Sequence, residues 1–185
     1  LGQLHGKQTV SAAISDPLYA AFVSSLWLQE IIPSVTVPQG TDIEAYCRAL
    51  ALRFSNPRIS HKTAQIVMDT SQKLPPRILA PLGENLTAGR SVSRLCLVIA
   101  GWMAFVRQMH DKGQPLNDPL ANNITQIVST TADGDDYVRA MFGLEGVFSF
   151  DIASHDVVID EVTNWYRQIN ADGIAGCLRN ATILA

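Results

Sequence analysis

The sequence predicts an all-α domain, a bundle of about eight helices. Apolar residues recur every three or four positions along nearly the whole chain, as they do on one face of a helix. Period-two strands joined by hairpin turns are hard to find. Short connections separate the periodic segments, which is typical of antiparallel neighbouring helices.

The first two helices are predicted from their caps. Asp16, followed by proline, is a favourable N-cap, and the apolar repeat after it stops at Pro33. Thr41 and Glu44 have the spacing of a capping box, so a second helix is expected to run from there to about Phe54.

Prolines and glycines divide the middle of the chain. Ser60 can cap a short helix that the pair Pro75 and Pro76 ends or kinks, and a further helix closes near Gly89. The apolar run 95–106 predicts a central buried helix. It is too short to cross a bilayer, which takes about 20 residues.

Three further helices are expected in the last third. Asp118 and Pro119 begin one, and the turn at 133–136 begins the next. A long final helix starts near Ser154 and has Gly173 as its stop. No repeat and no long linker interrupts this series, so residues 1–185 are expected to form a single helical domain.

Composition narrows the classes of function. The chain is 47% hydrophobic and 17% charged, a balance that favours a folded domain. Its formal net charge of −3 argues against nucleic-acid binding, and no signal peptide or membrane span is predicted. The three cysteines are odd in number and far apart, which favours a reducing, cytoplasmic setting and no structural metal.

One polar segment, 56–73, stands between apolar helices and is the candidate binding site. His61, Gln65, Asp69 and Lys73 are spaced by four and are expected on one helix face. Mixed donors and acceptors suit a polyhydroxylated ligand, because each hydroxyl both donates and accepts. The alternative is a solvated helix face with an Asp69–Lys73 ion pair.

Other catalytic motifs are missing. No glycine-rich loop of the dinucleotide or Walker type occurs, so the chain alone is not expected to bind a nicotinamide cofactor. No serine lies in a nucleophile elbow, so a Ser/His/Asp hydrolase is rejected.

The segment 53–79, RFSNPRISHKTAQIVMDTSQKLPPRIL, resembles the hallmark stretch of the long-chain mannitol dehydrogenase family. That family includes mannitol 2-dehydrogenase and the fructuronate reductase (mannonate oxidoreductase) group. Further matches are the segment 16–50, GWMAFVR from Gly101 and GQPLNDPLA from Gly113. The resemblance therefore extends over nearly the whole chain.

The resemblance implies part of a two-domain, metal-independent enzyme. Family members have an N-terminal Rossmann-like domain for NAD(H) or NADP(H) and a helical substrate domain like that of 6-phosphogluconate dehydrogenase. This chain resembles the second. In the family, the catalytic K-x-x-x-x-N-x-x-H motif ends a few residues before the stretch of sequence that corresponds to Leu1. We therefore expect a fragment without catalytic residues, inactive alone.

The resemblance also indicates substrate-binding residues. The lysine of the family's S-x-K-x-P pattern is Lys73, whose role would be binding. Gln65 stands near a position where mannitol-type members often have arginine, and His61 and Lys62 correspond to the HRT text of the sugar-acid group. The sequence QKLP at 72–75 resembles that of the fructuronate reductases more than that of the mannitol dehydrogenases, and Lys62 or Lys73 could bind a carboxylate. A hexuronate is the favoured substrate.

The leading hypothesis is an oxidoreductase fragment whose parent interconverts a polyol or sugar acid with its keto form, using NAD or NADP. Its partners would be that substrate and the N-terminal nucleotide-binding domain. The alternative is a stand-alone helical binding or dimerisation module that kept the family fold and pairs through an apolar face.

Overall fold

The computed structural model describes residues 1–59 and 61–183, and it confirms the all-α prediction. The described residues contain eleven α-helical segments, more than the eight expected, because several predicted helices are divided by breaks. They are α1 (Val10–Ile14), α2 (Pro17–Leu26), α3 (Ile43–Ser55), α4 (Thr63–Ile66), α5 (Thr70–Leu74), α6 (Ala80–Thr87), α7 (Ser93–Asp111), α8 (Ala121–Thr130), α9 (Asp135–Phe142), α10 (Phe150–Ala153) and α11 (Asp156–Ile183).

Two π-helical turns join helices that the sequence presents as ending at prolines. Trp27–Ile31 continues α2 towards a 3₁₀ turn at Ile32–Ser34, and Pro75–Leu79 joins α5 to α6. Prolines lack the amide hydrogen of the regular ladder. The Pro75–Pro76 pair therefore coincides with a wider π-helical turn and does not end the helix.

The predicted caps differ in outcome. Asp16 caps α2, since its carboxylate accepts from the Leu18 amide at 2.9 Å, as expected. The capping box of Thr41 and Glu44 is wrong, because Asp42 is the N-cap of α3 and accepts from the Ala45 amide at 2.8 Å.

Ser60, the cap predicted for the following helix, lies outside the described residues, and Lys62 occupies the N-cap position of α4. The α3 helix lies on the surface, where Tyr46 is 59% and Leu52 is 74% exposed.

The apolar helix α7 is the centre of the core, as the sequence predicts. Helix α11 packs along it, with α2, α8 and α9 around the pair. Gly101 of α7 lets the first residues of the chain approach closely, because a Cβ there would lie 2.2 Å from Leu1 Cδ2. Leu1 and Leu4 thereby lie close to the core helix.

Gly173 interrupts α11 and does not end it, contrary to the expected stop. Its φ of 70° and ψ of 168° are non-helical, and the helix resumes up to Ile183. In residues 1–59 and 61–183, no helix is both long and apolar enough to cross a membrane.

A buried carboxylate caps α7 from a distant part of the chain. Glu30, fully buried in the π-turn, accepts from the amides of Arg94 at 3.0 Å and Leu95 at 2.9 Å. The Arg94 guanidinium lies 3.4 Å from the same carboxylate. Burial raises the pKa of Glu30, and the two amides and the guanidinium oppose that rise.

Candidate functional site

The polar segment forms an elbow between two short helices, and we use the name elbow for residues 63–74. Helix α4 has only four residues, and Asp69 follows in a left-handed conformation with φ 53° and ψ 34°. Asp69 is the N-cap of α5, but its side chain makes no capping hydrogen bond. A non-glycine residue in this region is uncommon and strained, and such strain often occurs at functional sites.

The expectation that positions 61, 65, 69 and 73 share one helix face is wrong. The helical repeat does not continue through the elbow, because Asp69, between α4 and α5, has a left-handed backbone conformation. The alternative of an Asp69–Lys73 ion pair is not seen either among the described residues. The ammonium of Lys73 makes different contacts.

Lys73 is half-buried, and its ammonium closes the elbow. Nζ donates to the carbonyl of Met68 in a short hydrogen bond and to the carbonyl of Ile66 at 3.2 Å. These carbonyls lie at the C-terminal end of α4, where a cation is favoured. An ammonium has three donors, so one N–H of Lys73 remains for a ligand.

The other three predicted residues lie at the start of α4 and are exposed. Gln65 Oε1 accepts from the Lys62 amide at 3.3 Å, and the NH₂ group of the exposed Gln65 side chain can donate to other acceptors. The backbone of Lys62 pairs with Thr9 in an isolated β-bridge, and the His61 carbonyl accepts from Val10 at 2.9 Å. Gln65 and Lys73 thus belong to the same elbow, and His61 and Lys62 border it.

The first residues of the chain are fixed to this elbow through Thr63. Gln3 Nε2 donates to Thr63 Oγ1 at 2.6 Å, and Thr63 Oγ1 donates to the Lys7 carbonyl at 2.5 Å. The Thr63 amide donates to Gln8 at 3.0 Å. Residues at the beginning of the chain therefore lie directly beside the candidate binding residues.

The loop after α7 supports the elbow from the other side. The carboxylate of Asp118 accepts from the Ser71 amide at 2.9 Å and from the Ser71 hydroxyl at 2.5 Å. The Asn117 carbonyl accepts from the Asp69 amide at 3.0 Å. Sequence reasoning assigned Asp118 only to the start of a helix, and nothing in the sequence connects it with a serine 47 residues away.

A cavity of about 370 Å³ lies beneath α4. Its lining is mostly apolar and includes Met68, Trp102 and Met109, together with polar residues such as Asn117. None of the four predicted residues lines it. The candidate polar site is therefore the surface of the elbow, with this cavity next to it.

Among the described residues, neither a Rossmann-type phosphate-binding turn nor a cluster of metal ligands is found. These residues contain no β-strand followed by a glycine-rich turn and a helix, the arrangement that cradles a pyrophosphate. No group of three His, Cys, Asp or Glu side chains among residues 1–59 and 61–183 is placed to hold a metal ion. What the elbow offers is donors and acceptors for a neutral or anionic polar ligand.

Comparison with known proteins places the chain in a family. Residues 1–170 match the model of the mannitol dehydrogenase C-terminal domain. The chain belongs to the mannitol dehydrogenase family. The resemblance seen in the sequence is thereby confirmed over most of the chain, and the match ends three residues before the break at Gly173.

Relatives of this mannitol dehydrogenase C-terminal domain are considerably longer. The D-mannonate oxidoreductase of Escherichia coli K12 is 36% identical over 180 residues, which is 96% of this chain and 37% of that protein. The mannitol 2-dehydrogenase of Aspergillus fumigatus CBS 144.89 is 29% identical over 94% of this chain and 34% of its own length. The chain therefore spans little more than a third of each relative.

Solved structures share the fold. The Pseudomonas fluorescens mannitol 2-dehydrogenase, in a ternary complex with NAD and D-mannitol, matches the whole chain with a TM-score of 0.90 at 22% identity, over 37% of that protein. A substrate-free D-sorbitol dehydrogenase matches 98% of the chain and 36% of its own length, with a TM-score of 0.81 and 21% identity. The helical architecture is thus that of the mannitol dehydrogenase C-terminal domain.

Proposed function

We propose that this chain is the substrate-binding part of an NAD(P)-dependent oxidoreductase that interconverts a polyol or sugar acid with its keto form. The family membership supports the reaction class. The main structural support for the site is the position of Lys73. Its ammonium donates to two backbone carbonyls and has one further N–H that can donate to a ligand.

Lys73 is proposed to bind an oxygen of the substrate, and the NH₂ group of Gln65 to donate to a second oxygen. His61 and Lys62, exposed at the start of α4, would contact the more distant end of the molecule. Hydroxyl groups both donate and accept, so this set of mostly donor groups favours a ligand that also carries a stronger acceptor, such as a carboxylate.

A hexuronate or its reduced aldonate is therefore the proposed substrate class. Two cations, Lys73 in the elbow and Lys62 at its border, can meet a carboxylate, whereas mannitol and fructose have none. The higher identity to the Escherichia coli D-mannonate oxidoreductase than to the fungal mannitol 2-dehydrogenase points the same way.

The chain by itself is expected to be inactive. The sequence contains no K-x-x-x-x-N-x-x-H motif and no glycine-rich loop, so general-base chemistry and cofactor binding would come from an N-terminal nucleotide-binding domain. We assign the nicotinamide cofactor no residue of this chain. The residues described here would bind and orient the sugar, which is the contribution of a substrate domain to hydride transfer.

The test is a nicotinamide absorbance assay on the complete gene product that contains these residues, with mannonate, fructuronate, mannitol and fructose. We expect oxidation of mannonate and reduction of fructuronate. Lys73→Met should raise the KM for the sugar, whereas Lys112→Met, at an exposed lysine after α7, should not. Absence of turnover with all four compounds would contradict the proposal.

The alternative function, a stand-alone dimerisation module, has one observation in its favour. The exposed side chains of Leu28 and Leu52 line an apolar groove of about 570 Å³ between α2 and α3. Sedimentation velocity of the 185-residue chain decides this point. A concentration-dependent dimer that Leu52→Glu abolishes would favour the module, and a monomer at all concentrations would reject it.

A further inference from the structure

Helix α5 lacks a cap of its own, and a carboxylate from elsewhere in the fold replaces it. The N-cap residue Asp69 is left-handed and makes no side-chain bond to the helix it begins. The first amides of a helix need an acceptor. Asp118 Oδ2 accepts from the amide of Ser71, the second residue of α5, at 2.9 Å, and Oδ1 accepts from the Ser71 hydroxyl.

The cap is itself held in place. Asp118 Oδ1 also accepts from the Leu120 amide at 2.9 Å, and the neighbouring Asn117 carbonyl accepts from the Asp69 amide at 3.0 Å. The loop after α7 and the elbow are therefore joined by three hydrogen bonds, two to the Asp118 carboxylate and one to the Asn117 carbonyl. Ser71 is almost completely buried, so water cannot readily replace its partner.

Lys73 lies two residues after the capped Ser71, in the last turn of the five-residue helix α5. The first turn of α5 has no cap of its own, so its position depends on contacts from outside the helix. On its C-terminal side α5 continues through the π-turn Pro75–Leu79 into α6, and Lys73 also bonds back to Ile66 and Met68. On its N-terminal side the first turn is held by Asp118.

We infer that Asp118 is a positioning residue for substrate binding: through Ser71 it fixes α5 so that the free N–H of Lys73 is directed at the sugar. The inference rests on the function proposed above and adds a residue to it. Both carboxylate oxygens of Asp118 already accept hydrogen bonds from Ser71 or Leu120, so its effect on sugar binding is proposed to pass through Lys73.

The test is a double-mutant cycle in the complete gene product, with KM values for the sugar and for the cofactor. Asp118→Asn keeps the shape but turns an NH₂ group towards donors of Ser71. We expect the sugar KM to rise about tenfold, as for loss of one charge-assisted hydrogen bond, with little change in the cofactor KM. Asp160→Asn, at an exposed aspartate of α11, is the matched control.

Measuring the effect of Asp118→Asn in a protein that already carries Lys73→Met distinguishes positioning of Lys73 from a general contribution of Asp118 to the fold. If Asp118 acts through Lys73, Asp118→Asn adds no further increase in sugar KM when Lys73 is already methionine. An increase that persists in that background, or an equal rise in the cofactor KM, would overturn the inference.

Two further outcomes complete the design. Should Asp118→Asn not fold, Ser71→Ala removes only the hydroxyl bond, and its smaller rise in sugar KM must likewise vanish when Lys73 is replaced. If Lys73→Met itself leaves the sugar KM unchanged in an active enzyme, the binding role proposed for Lys73 fails, and the role of Asp118 is overturned with it.

Discussion

Replacing the buried carboxylate at the start of α7 should destabilise the domain severely. Glu30→Gln leaves one acceptor for the amides of Arg94 and Leu95, and it removes the negative charge next to the Arg94 guanidinium, whose exposure is 1%. Breaking a buried pair by removing one partner costs about 3–5 kcal/mol. Arg94 also donates to Ser25 Oγ at 2.7 Å, so we expect the lower end of that range.

The assay is urea unfolding of the 185-residue chain at pH 7, followed by tryptophan fluorescence. Glu30→Gln should lower the free energy of unfolding by about 3 kcal/mol, out of the 5–15 kcal/mol typical of a domain. Glu84→Gln is the matched control, because Glu84 is exposed and should change stability by less than about 0.5 kcal/mol.

A double-mutant cycle separates the charge pair from the cap. Arg94→Met removes the guanidinium, and adding Glu30→Gln to it should then cost clearly less than Glu30→Gln costs in the native chain. A loss below about 1 kcal/mol for Glu30→Gln alone, or strict additivity of the two changes, would refute this account of the start of α7.

Three further perturbations follow from the geometry. Gly173→Ala should lower Tm, because its φ of 70° and ψ of 168° suit only glycine and force about 1–3 kcal/mol of strain, whereas Gly83→Ala in the helix α6 should not lower it. The ammonium of Lys7 lies 2.7 Å from the Asp16 carboxylate and lowers the pKa of Asp16. The ion pair therefore stabilises the fold above about pH 4, and this stabilisation is lost as the pH falls through the lowered pKa of the folded state. On acidification, the Tm of Asp16→Asn should fall less than the Tm of the native chain. Burial raises the pKa of the Cys177 thiol to about 11, so iodoacetamide at pH 8 should label it only after unfolding.

Local sequence signals predicted the helices, but they predicted only some of the side chains that cap the helix ends. The apolar run 95–106 identified the central helix because a long periodic segment has few alternative folds. Asp16 was recognised as a cap because its acceptor and donor are two residues apart. Thr41 failed because the neighbouring Asp42 competes for the same role with a stronger acceptor.

The sequence predicts where the candidate site lies, and that prediction remains untested, whereas the sequence did not predict the backbone geometry of the segment. The segment 56–73 was chosen for its polar residues and its resemblance to the family. The spacing of four suggested a continuous helix, but a single left-handed residue, Asp69, breaks it. No local pattern shows that break, since it depends on bonds from Asn117 and Asp118 nearly 50 residues later.

We propose that the elbow binds the sugar through Lys73. A crystal structure of the complete gene product with mannonate and the oxidised cofactor tests it most directly. We predict a mannonate oxygen about 3 Å from Lys73 Nζ, with the contacts to Ile66 and Met68 retained. Mannonate bound away from the elbow, with Lys73 in contact only with its own backbone carbonyls, would contradict the account.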